Sequence, residues 1–100
     1  MPSTDIQLDE KIKVTAQEPK LWKVIILNDD STPMDFVISV LVEIFKHNPD
    51  SAKDIMLTVH ETGSGIAGIY SFEIAEVKAV EATNQARQNG FPLQIKLEEE

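Results

Sequence analysis

Residues 21–37, LWKVIILNDDSTPMDFV, join a strand to a helix through a polar turn. The first seven residues are nearly all apolar and rich in β-branched and aromatic side chains, which predicts a strand covered on much of both faces. Residues 28–31 predict a turn, because their side chains hydrogen-bond to nearby backbone. Thr32 is expected to cap the helix and Pro33 to occupy its first position. Strand and helix thus hold a polar loop between them.

Two helices are predicted after this loop. In the first, apolar residues recur at helical spacing up to a predicted end near His47. Asn48 and Pro49 then restart a helix by the same cap-then-proline pattern, and Gly63 is expected to end it. Two helices joined this closely predict a tight hairpin.

The rest of the chain predicts a strand, a helix and a strand. Residues 66–70 are a short apolar segment, and Ser71 is expected to cap a third helix that Asn89 and Gly90 terminate. This helix carries alanines at helical spacing, which would let it lie close against a sheet. Residues 91–97 alternate apolar and polar side chains, and Pro92 within them favours an edge strand or a strand start.

The element order β-α-α-β-α-β predicts an α/β (α+β) sandwich with three helices on one face of a short three-stranded antiparallel sheet. One hundred residues with 42% apolar content fit a single core. We expect residues 1–20, which are polar and lack a sustained period, to form a flexible arm. Residues 21–98 form the predicted core domain, and residues 98–100 a solvated tail.

The charge balance argues against several classes of partner. Seventeen acidic and nine basic residues give a formal net charge of −8, which would repel nucleic acid and anionic lipid. The first twenty residues contain no apolar run of signal-peptide length, and no stretch is long enough to span a bilayer. The chain has no cysteine. We therefore expect a cytoplasmic protein held together by packing alone.

Catalytic chemistry finds little support in the sequence. Asp29, Asp30, His47 and His60 could in principle hold a metal ion, but none of the established ligand spacings is present. The serines lack the context of a nucleophile, and the Gly63–Gly65 turn lacks the lysine of a phosphate-binding loop. We expect no catalytic residue, no metal and no cofactor, and hence a protein that is not an enzyme.

A binding site is the stronger hypothesis for the polar loop. Residues 28–30 offer several acceptors in succession, although a simple helix-capping turn is also consistent with them. His60 follows Met56 by one helical turn on the same side of the second helix, and Met34 opens the first helix beside the loop. Acceptors, a histidine and two flexible methionines together favour an adaptable apolar pocket with a polar edge.

Three blocks of sequence resemble one family. Residues 27–37 (LNDDSTPMDFV), 55–60 (IMLTVH) and 68–78 (GIYSFEIAEVK) are similar in order and spacing to ClpS, the N-degron adaptor of the bacterial Clp proteases. The resemblance extends from Leu21 to Leu97. It implies a fold like the C-terminal domain of the ribosomal stalk protein. It also implies an adaptor that binds proteins by a bulky hydrophobic N-terminal residue, Phe, Leu, Trp or Tyr, and delivers them to a Clp protease.

The resemblance also implies residue roles. Asn28, Asp29 and His60 would hold the α-amino group of the substrate, and Glu73 and Lys78 would contact the N-terminal domain of the unfoldase, ClpA or ClpC. The arm would serve delivery, and the adaptor would act as a monomer. The residues expected to line the pocket for the first side chain are Asp30, Thr32, Met34, Val37, Met56, Val59 and Leu93.

Some positions depart from the family pattern, and other functions stay open. Ser31 and Glu61 replace frequent aromatic residues beside the expected site, which puts the preference at the second substrate position in doubt. Val77 replaces threonine in the partner-contact segment. An interaction domain of the stalk-protein fold that binds another protein factor is the main alternative function. A metal hydrolase is a third.

Overall fold

The computed structural model of the chain describes residues 20–100, so the predicted arm lies outside the described residues except for Lys20. The elements, in chain order, are β1 (Leu21–Leu27), α1 (Met34–Glu43), α2 (Pro49–Thr62), β2 (Ser64–Ser71), α3 (Phe72–Gln88) and β3 (Gln94–Glu99). The predicted order and the three-stranded antiparallel sheet with three helices are confirmed.

The sheet is built around β1. It pairs antiparallel with β2, from Leu21 opposite Ser71 to Leu27 opposite Ser64. On its other side it pairs antiparallel with β3, from Trp22 opposite Glu99 to Leu27 opposite Gln94. Since side chains alternate along a strand, Val24 and Ile26 face the same way, and both are fully buried in the core beneath the helices. Strand β3 is an edge strand, as Pro92 predicted.

A β-bulge interrupts the pairing of β1 with β2. Val24 pairs with Gly68 and Ile25 with Ile66, so that Ala67 has no partner in the ladder. A bulged residue leaves its backbone groups unpaired. Here the Nε2 atom of His47, in the connection between α1 and α2, donates a hydrogen bond to the carbonyl of Ala67. His47 therefore has a structural role in this fold.

Helix α1 buries Val37, Val40 and Leu41 as its stripe predicted, but it ends at Glu43, before His47. The chain turns sharply there, because Lys46 adopts a left-handed conformation with φ of 64°. The ammonium of Lys78 on α3 donates to the free carbonyl of Ile44 at 2.7 Å. A side chain distant in sequence thus satisfies the end of this helix.

Helix α2 begins and ends as predicted. The Asn48 side chain accepts a hydrogen bond from the amide of Ser51 at 2.8 Å, and Pro49 opens the helix. Gly63 ends it with φ of 94°, a left-handed conformation that glycine adopts without strain. A Cβ added to Gly65 would lie 2.8 Å from Cγ2 of Val59, so α2 lies against β2 more closely than a side chain at that position allows.

Further predictions of element ends differ from the structure. Thr32 does not cap α1, because its hydroxyl donates to Asp29 and Pro33 occupies the cap position. Ser71 occupies the cap position of α3, as predicted, but its side chain makes no capping hydrogen bond. Strand β2 begins at Ser64, two residues earlier than predicted. Strand β3 runs from Gln94 to Glu99, so Glu98 belongs to the sheet and not to a tail.

One core lies between the sheet and the helices. On α3 the alanine stripe is buried at Ala75, Ala82 and Ala86, which lets the helix approach the sheet closely. Across residues 20–100, no helix has the length and hydropathy needed to cross a bilayer.

Candidate functional site

The loop between β1 and α1 is tied to the end of α2. The backbone amide of Asn28 donates to the carbonyl of Gly63 at 2.9 Å. Gly63 follows the last turn of α2, where His60 lies exposed. The structure therefore brings the loop and His60, two parts of the predicted site, to the same end of the molecule.

Asp29 organises this loop. Its Oδ1 atom accepts from the amides of Ser31 and Thr32 at 2.8 and 2.7 Å, and its Oδ2 atom accepts from the Thr32 hydroxyl at 2.8 Å. Burial by itself would raise the pKa of the carboxyl group. The bonds from the two amides and the hydroxyl, together with the charge of Arg87, outweigh burial and lower the pKa of Asp29 below its ordinary value of 3.8. A carboxylate is thus fixed at the loop at neutral pH.

Arg87 is a residue that the sequence analysis did not place at the site. It lies in the last turn of α3, and its Nη1 atom donates to the carbonyls of Phe91 and Leu93 at 2.9 and 2.8 Å. The sequence signal for this role was Pro92. Because proline has no N–H, the chain around it cannot pair regularly with a neighbouring strand. The carbonyls of this unpaired segment then need a donor from elsewhere, such as a nearby arginine.

The apolar residues of the predicted pocket form one buried cluster. Val37, Met56, Val59 and Leu93 are between 1% and 3% exposed and belong to the main core. Met34, at the first position of α1, is 38% exposed. Thr32 is half-buried and Asp30 is exposed. We call the four buried side chains the floor and Asp30, Thr32 and Met34 the rim.

Three concavities lie away from this floor and rim. A groove of about 460 Å³ lies beside α2 and β2, lined by residues such as Ile55 and Ile66. A polar one of about 620 Å³ lies between the end of α1 and α3, and one of about 280 Å³ between α3 and β3. None of these three is lined by a floor or rim residue. The floor side chains themselves are 1% to 3% exposed.

Glu73 and Lys78, the predicted unfoldase contacts, lie at the opposite end of the sheet. Helix α3 begins beside the start of β1, where Phe72 packs edge-on against Trp22 with ring centroids 5.0 Å apart. The loop lies beyond the other end of β1, about 20 Å away at about 3.3 Å per residue. Glu73 is exposed, whereas Lys78 is half-buried, bonded to the Ile44 carbonyl, and 5.4 Å from the Tyr70 ring centroid.

The four residues first considered as metal ligands are not assembled into a metal site. Within residues 20–100, no group of three or more His, Cys, Asp or Glu side chains could hold a metal ion. His47 is engaged with the bulge, and Asp29 with its own loop. What the site offers chemically is a set of acceptors beside apolar side chains.

Comparison with known proteins shows what the chain is similar to. Residues 17–96 match the family model described as the ATP-dependent Clp protease adaptor protein ClpS. The ATP-dependent Clp protease adapter protein ClpS of Bartonella henselae is 50% identical over 88 residues, covering 88% of this chain and 80% of that protein. The ClpS of Shewanella halifaxensis is 47% identical over 93 residues, covering 93% of this chain and 91% of that protein.

A solved structure is similar as well. The structure of Agrobacterium tumefaciens ClpS2 bound to L-phenylalaninamide matches with a TM-score of 0.80 and 43% identity. The match covers 83% of this chain and 100% of that chain.

Proposed function

The chain belongs to the ClpS family of adaptors for ATP-dependent Clp proteases, and from this we propose how it works. It binds proteins that carry a bulky hydrophobic N-terminal residue, Phe, Leu, Trp or Tyr, and delivers them to a Clp protease. The observation that carries this function is the similarity to ClpS2 of Agrobacterium tumefaciens, whose structure holds L-phenylalaninamide, the amide of an aromatic amino acid with a free α-amino group.

We propose that Asn28, Asp29 and His60 hold the α-amino group of the substrate. A free N-terminus is an ammonium with three donors at neutral pH, whereas an internal amide has one donor and no charge. Asp29 supports this role because its lowered pKa keeps it ionised, and because its Oδ2 atom accepts one local bond and retains capacity for another. The link from Asn28 to Gly63 places the loop beside the turn of His60.

The first side chain of the substrate would enter between the rim and the floor. Burying a Leu or Phe side chain contributes about 1.5 to 3 kcal/mol, and a charge-assisted hydrogen bond about 1.5 to 3 kcal/mol. Both contributions together select a hydrophobic N-terminus over an internal hydrophobic residue. Met34, which is unbranched and 38% exposed at the first position of α1, would form an adaptable side of this pocket.

The partner surface is proposed at the other end of the molecule. Glu73 and Lys78 would contact the N-terminal domain of ClpA or ClpC, with the chain acting as a monomer in the cytoplasm. A separation of about 20 Å along the sheet supports this division, because it leaves the pocket open while the unfoldase is bound. The family is one of adaptor proteins, and the proposal requires no catalytic residue, no metal and no cofactor.

Titration with four peptides tests the capture step. The peptides differ only at the N-terminus, which is Phe, Leu, Ile or acetylated Phe, and affinity is measured by fluorescence anisotropy. Phe and Leu peptides should bind, the Ile peptide more weakly because it is β-branched, and the acetylated peptide not at all. Equal binding of free and acetylated Phe peptides would contradict the proposal.

A further inference from the structure

Pro92 creates a structural problem just before β3. It has no N–H and its ring restricts the residue before it, so the ladder between β1 and β3 begins only at Gln94. The carbonyls of Phe91 and Leu93 point to a common donor, Nη1 of Arg87, at 2.9 and 2.8 Å. A planar, permanently charged guanidinium holds two such acceptors in a fixed geometry.

The segment that Arg87 holds belongs to the pocket floor. Leu93 is 1% exposed and packs in one cluster with Val37, Met56 and Val59. Phe91, at the start of the segment, packs edge-on against Phe36 of α1, with ring centroids 5.0 Å apart. A shift of this segment would therefore move both Leu93 and the helix that begins with Met34.

The amino-group end of the site lies beside the same segment. Leu27 pairs with Gln94, so Asn28 and Leu93 continue two neighbouring strands at the same end of the sheet. The guanidinium is also close enough to Asp29 for its charge to lower the pKa of that carboxyl group. One side chain thus bonds the segment that carries Leu93 and acts through its charge on Asp29.

We propose that Arg87 is a positioning residue of the substrate pocket: by holding the Phe91–Leu93 segment, it fixes the distance between the apolar floor and the acceptors of the loop. This inference rests on the proposed function. Recognition of an N-terminus requires the ammonium and the first side chain to be bound together, so a change in that distance weakens both interactions.

If Arg87 only stabilised the end of α3, another substitution that loosens this helix end would weaken peptide binding equally. Asn89 provides the control for this possibility. The Nδ2 atom of Asn89 donates to the Gln85 carbonyl at 2.8 Å, so this side chain also stabilises the end of α3. This bond stays within the helix end and holds no floor residue. Asn89→Ala therefore loosens the same helix end while leaving Leu93 in place.

The experiment compares Arg87→Ala, Arg87→Lys and Asn89→Ala with the parent chain, using peptides with N-terminal Phe and N-terminal Ala. Circular dichroism verifies that each variant is folded. Arg87→Ala should bind the Phe peptide about tenfold more weakly, because two charge-assisted bonds that hold the floor are lost. The Phe-over-Ala preference should also shrink, but by a smaller factor, because the weaker hold on the ammonium lowers the affinity of both peptides. Arg87→Lys, which keeps the charge and several donors, should recover part of the affinity, and Asn89→Ala should bind like the parent.

The results separate this inference from the function on which it rests. A parent chain that does not bind the Phe peptide overturns both. If the parent binds, the inference alone is overturned by parent-like affinity in Arg87→Ala or by an equal loss in Asn89→Ala. Should Arg87→Ala fail to fold, Arg87→Lys decides: loss of the Phe-over-Ala preference beyond that of Asn89→Ala supports the inference, and parent-like preference overturns it.

Discussion

Met34 differs from the floor residues in its freedom to change. It is 38% exposed, whereas Val37, Met56, Val59 and Leu93 are almost fully buried. Its side chain begins α1, so atoms beyond its Cβ can be removed without opening a cavity in the core. Substitution there should change specificity without changing the fold.

Met34→Ala is therefore expected to improve binding of N-terminal Ile and Val peptides by about tenfold or more, while Phe peptides keep most of their affinity. β-branched side chains are widest next to the backbone, and we propose that Met34 forms the wall of the pocket at that point. One methylene group more or less in an apolar pocket changes the binding free energy by about 1 to 3 kcal/mol. Leu57→Ala, at an exposed apolar position of α2, is the control and should leave the Ile affinity unchanged. Poor Ile binding by Met34→Ala would show that the wall is another residue.

Asp29 links the loop to pH. Its pKa is lowered in the folded chain, so its carboxylate stabilises the fold at pH values above the ordinary pKa of 3.8. This stabilisation is lost as the pH falls through the lower folded pKa. Asp29→Asn should be less stable than the parent at neutral pH by about 1 kcal/mol, and the difference should narrow below about pH 4 as the parent carboxyl group is protonated.

Urea unfolding at several pH values measures this difference. Asp30→Asn, which removes a charge from an exposed position of the same loop, is the control and should show little pH-dependent difference. A constant difference between Asp29→Asn and the parent from neutral to acidic pH would mean that the Asp29 charge does not stabilise the loop.

At the scale of elements, the sequence predicted the type of every element but misplaced several ends. Hydrophobic period and proline positions were sufficient for β1, α2 and the buried stripes, since these depend on local pattern. Two of the errors have non-local causes. The end of α1 is completed by Lys78, 34 residues further along the chain. The start of β3 depends on pairing with β1. The error at Thr32 is local, because its hydroxyl donates to Asp29 three residues earlier.

Substitution of Lys78 tests whether the contact between α3 and the end of α1 stabilises the fold. Its ammonium bonds the Ile44 carbonyl and lies within cation–π distance of Tyr70, so it fastens α3 to the end of α1. Lys78→Met keeps the apolar stem and removes the charge, and should lower the free energy of unfolding by about 1 to 2 kcal/mol. Lys53→Met, at an exposed position of α2, should change it little. If both variants unfold at the parent's urea concentration, the bond to Ile44 contributes no stability.

At the scale of the whole molecule, we propose that capture and delivery use different parts of the chain. All proposed pocket residues lie between Asn28 and Leu93, while the arm precedes β1. Deleting residues 1–19 should therefore leave peptide affinity within about twofold of the parent, well under 1 kcal/mol. The same deletion should abolish degradation of an N-terminal Phe substrate by the Clp protease.

Anisotropy with the Phe peptide and a degradation assay with purified protease measure the two activities separately. A chain with residues 1–19 replaced by a Gly/Ser linker of equal length controls for spacing. Normal degradation with the deleted chain would show that the arm has no part in delivery.

The candidate site was predictable only in part. Asn28, Asp29 and His60 could be proposed because acceptor-rich loops beside helix ends are visible in a sequence. Local pattern does not show that four floor residues form one cluster, because they come from two helices and a connecting segment that pack together: Val37, Met56, Val59 and Leu93. Arg87 was missed because its role depends on a chain segment that follows a helix end and a proline.

The pocket floor is part of the core, and this limits how the protein can evolve or be engineered. Truncating a floor residue costs about 2 to 5 kcal/mol, a large share of the roughly 5 to 15 kcal/mol that stabilises a typical domain. A floor substitution that admits a new substrate therefore lowers the thermal stability of the protein, and the variant needs stabilising substitutions elsewhere to stay folded. Rim positions such as Met34 carry no comparable penalty. New specificities should arise first at the rim, and floor changes should be found in variants that already have stability to spare.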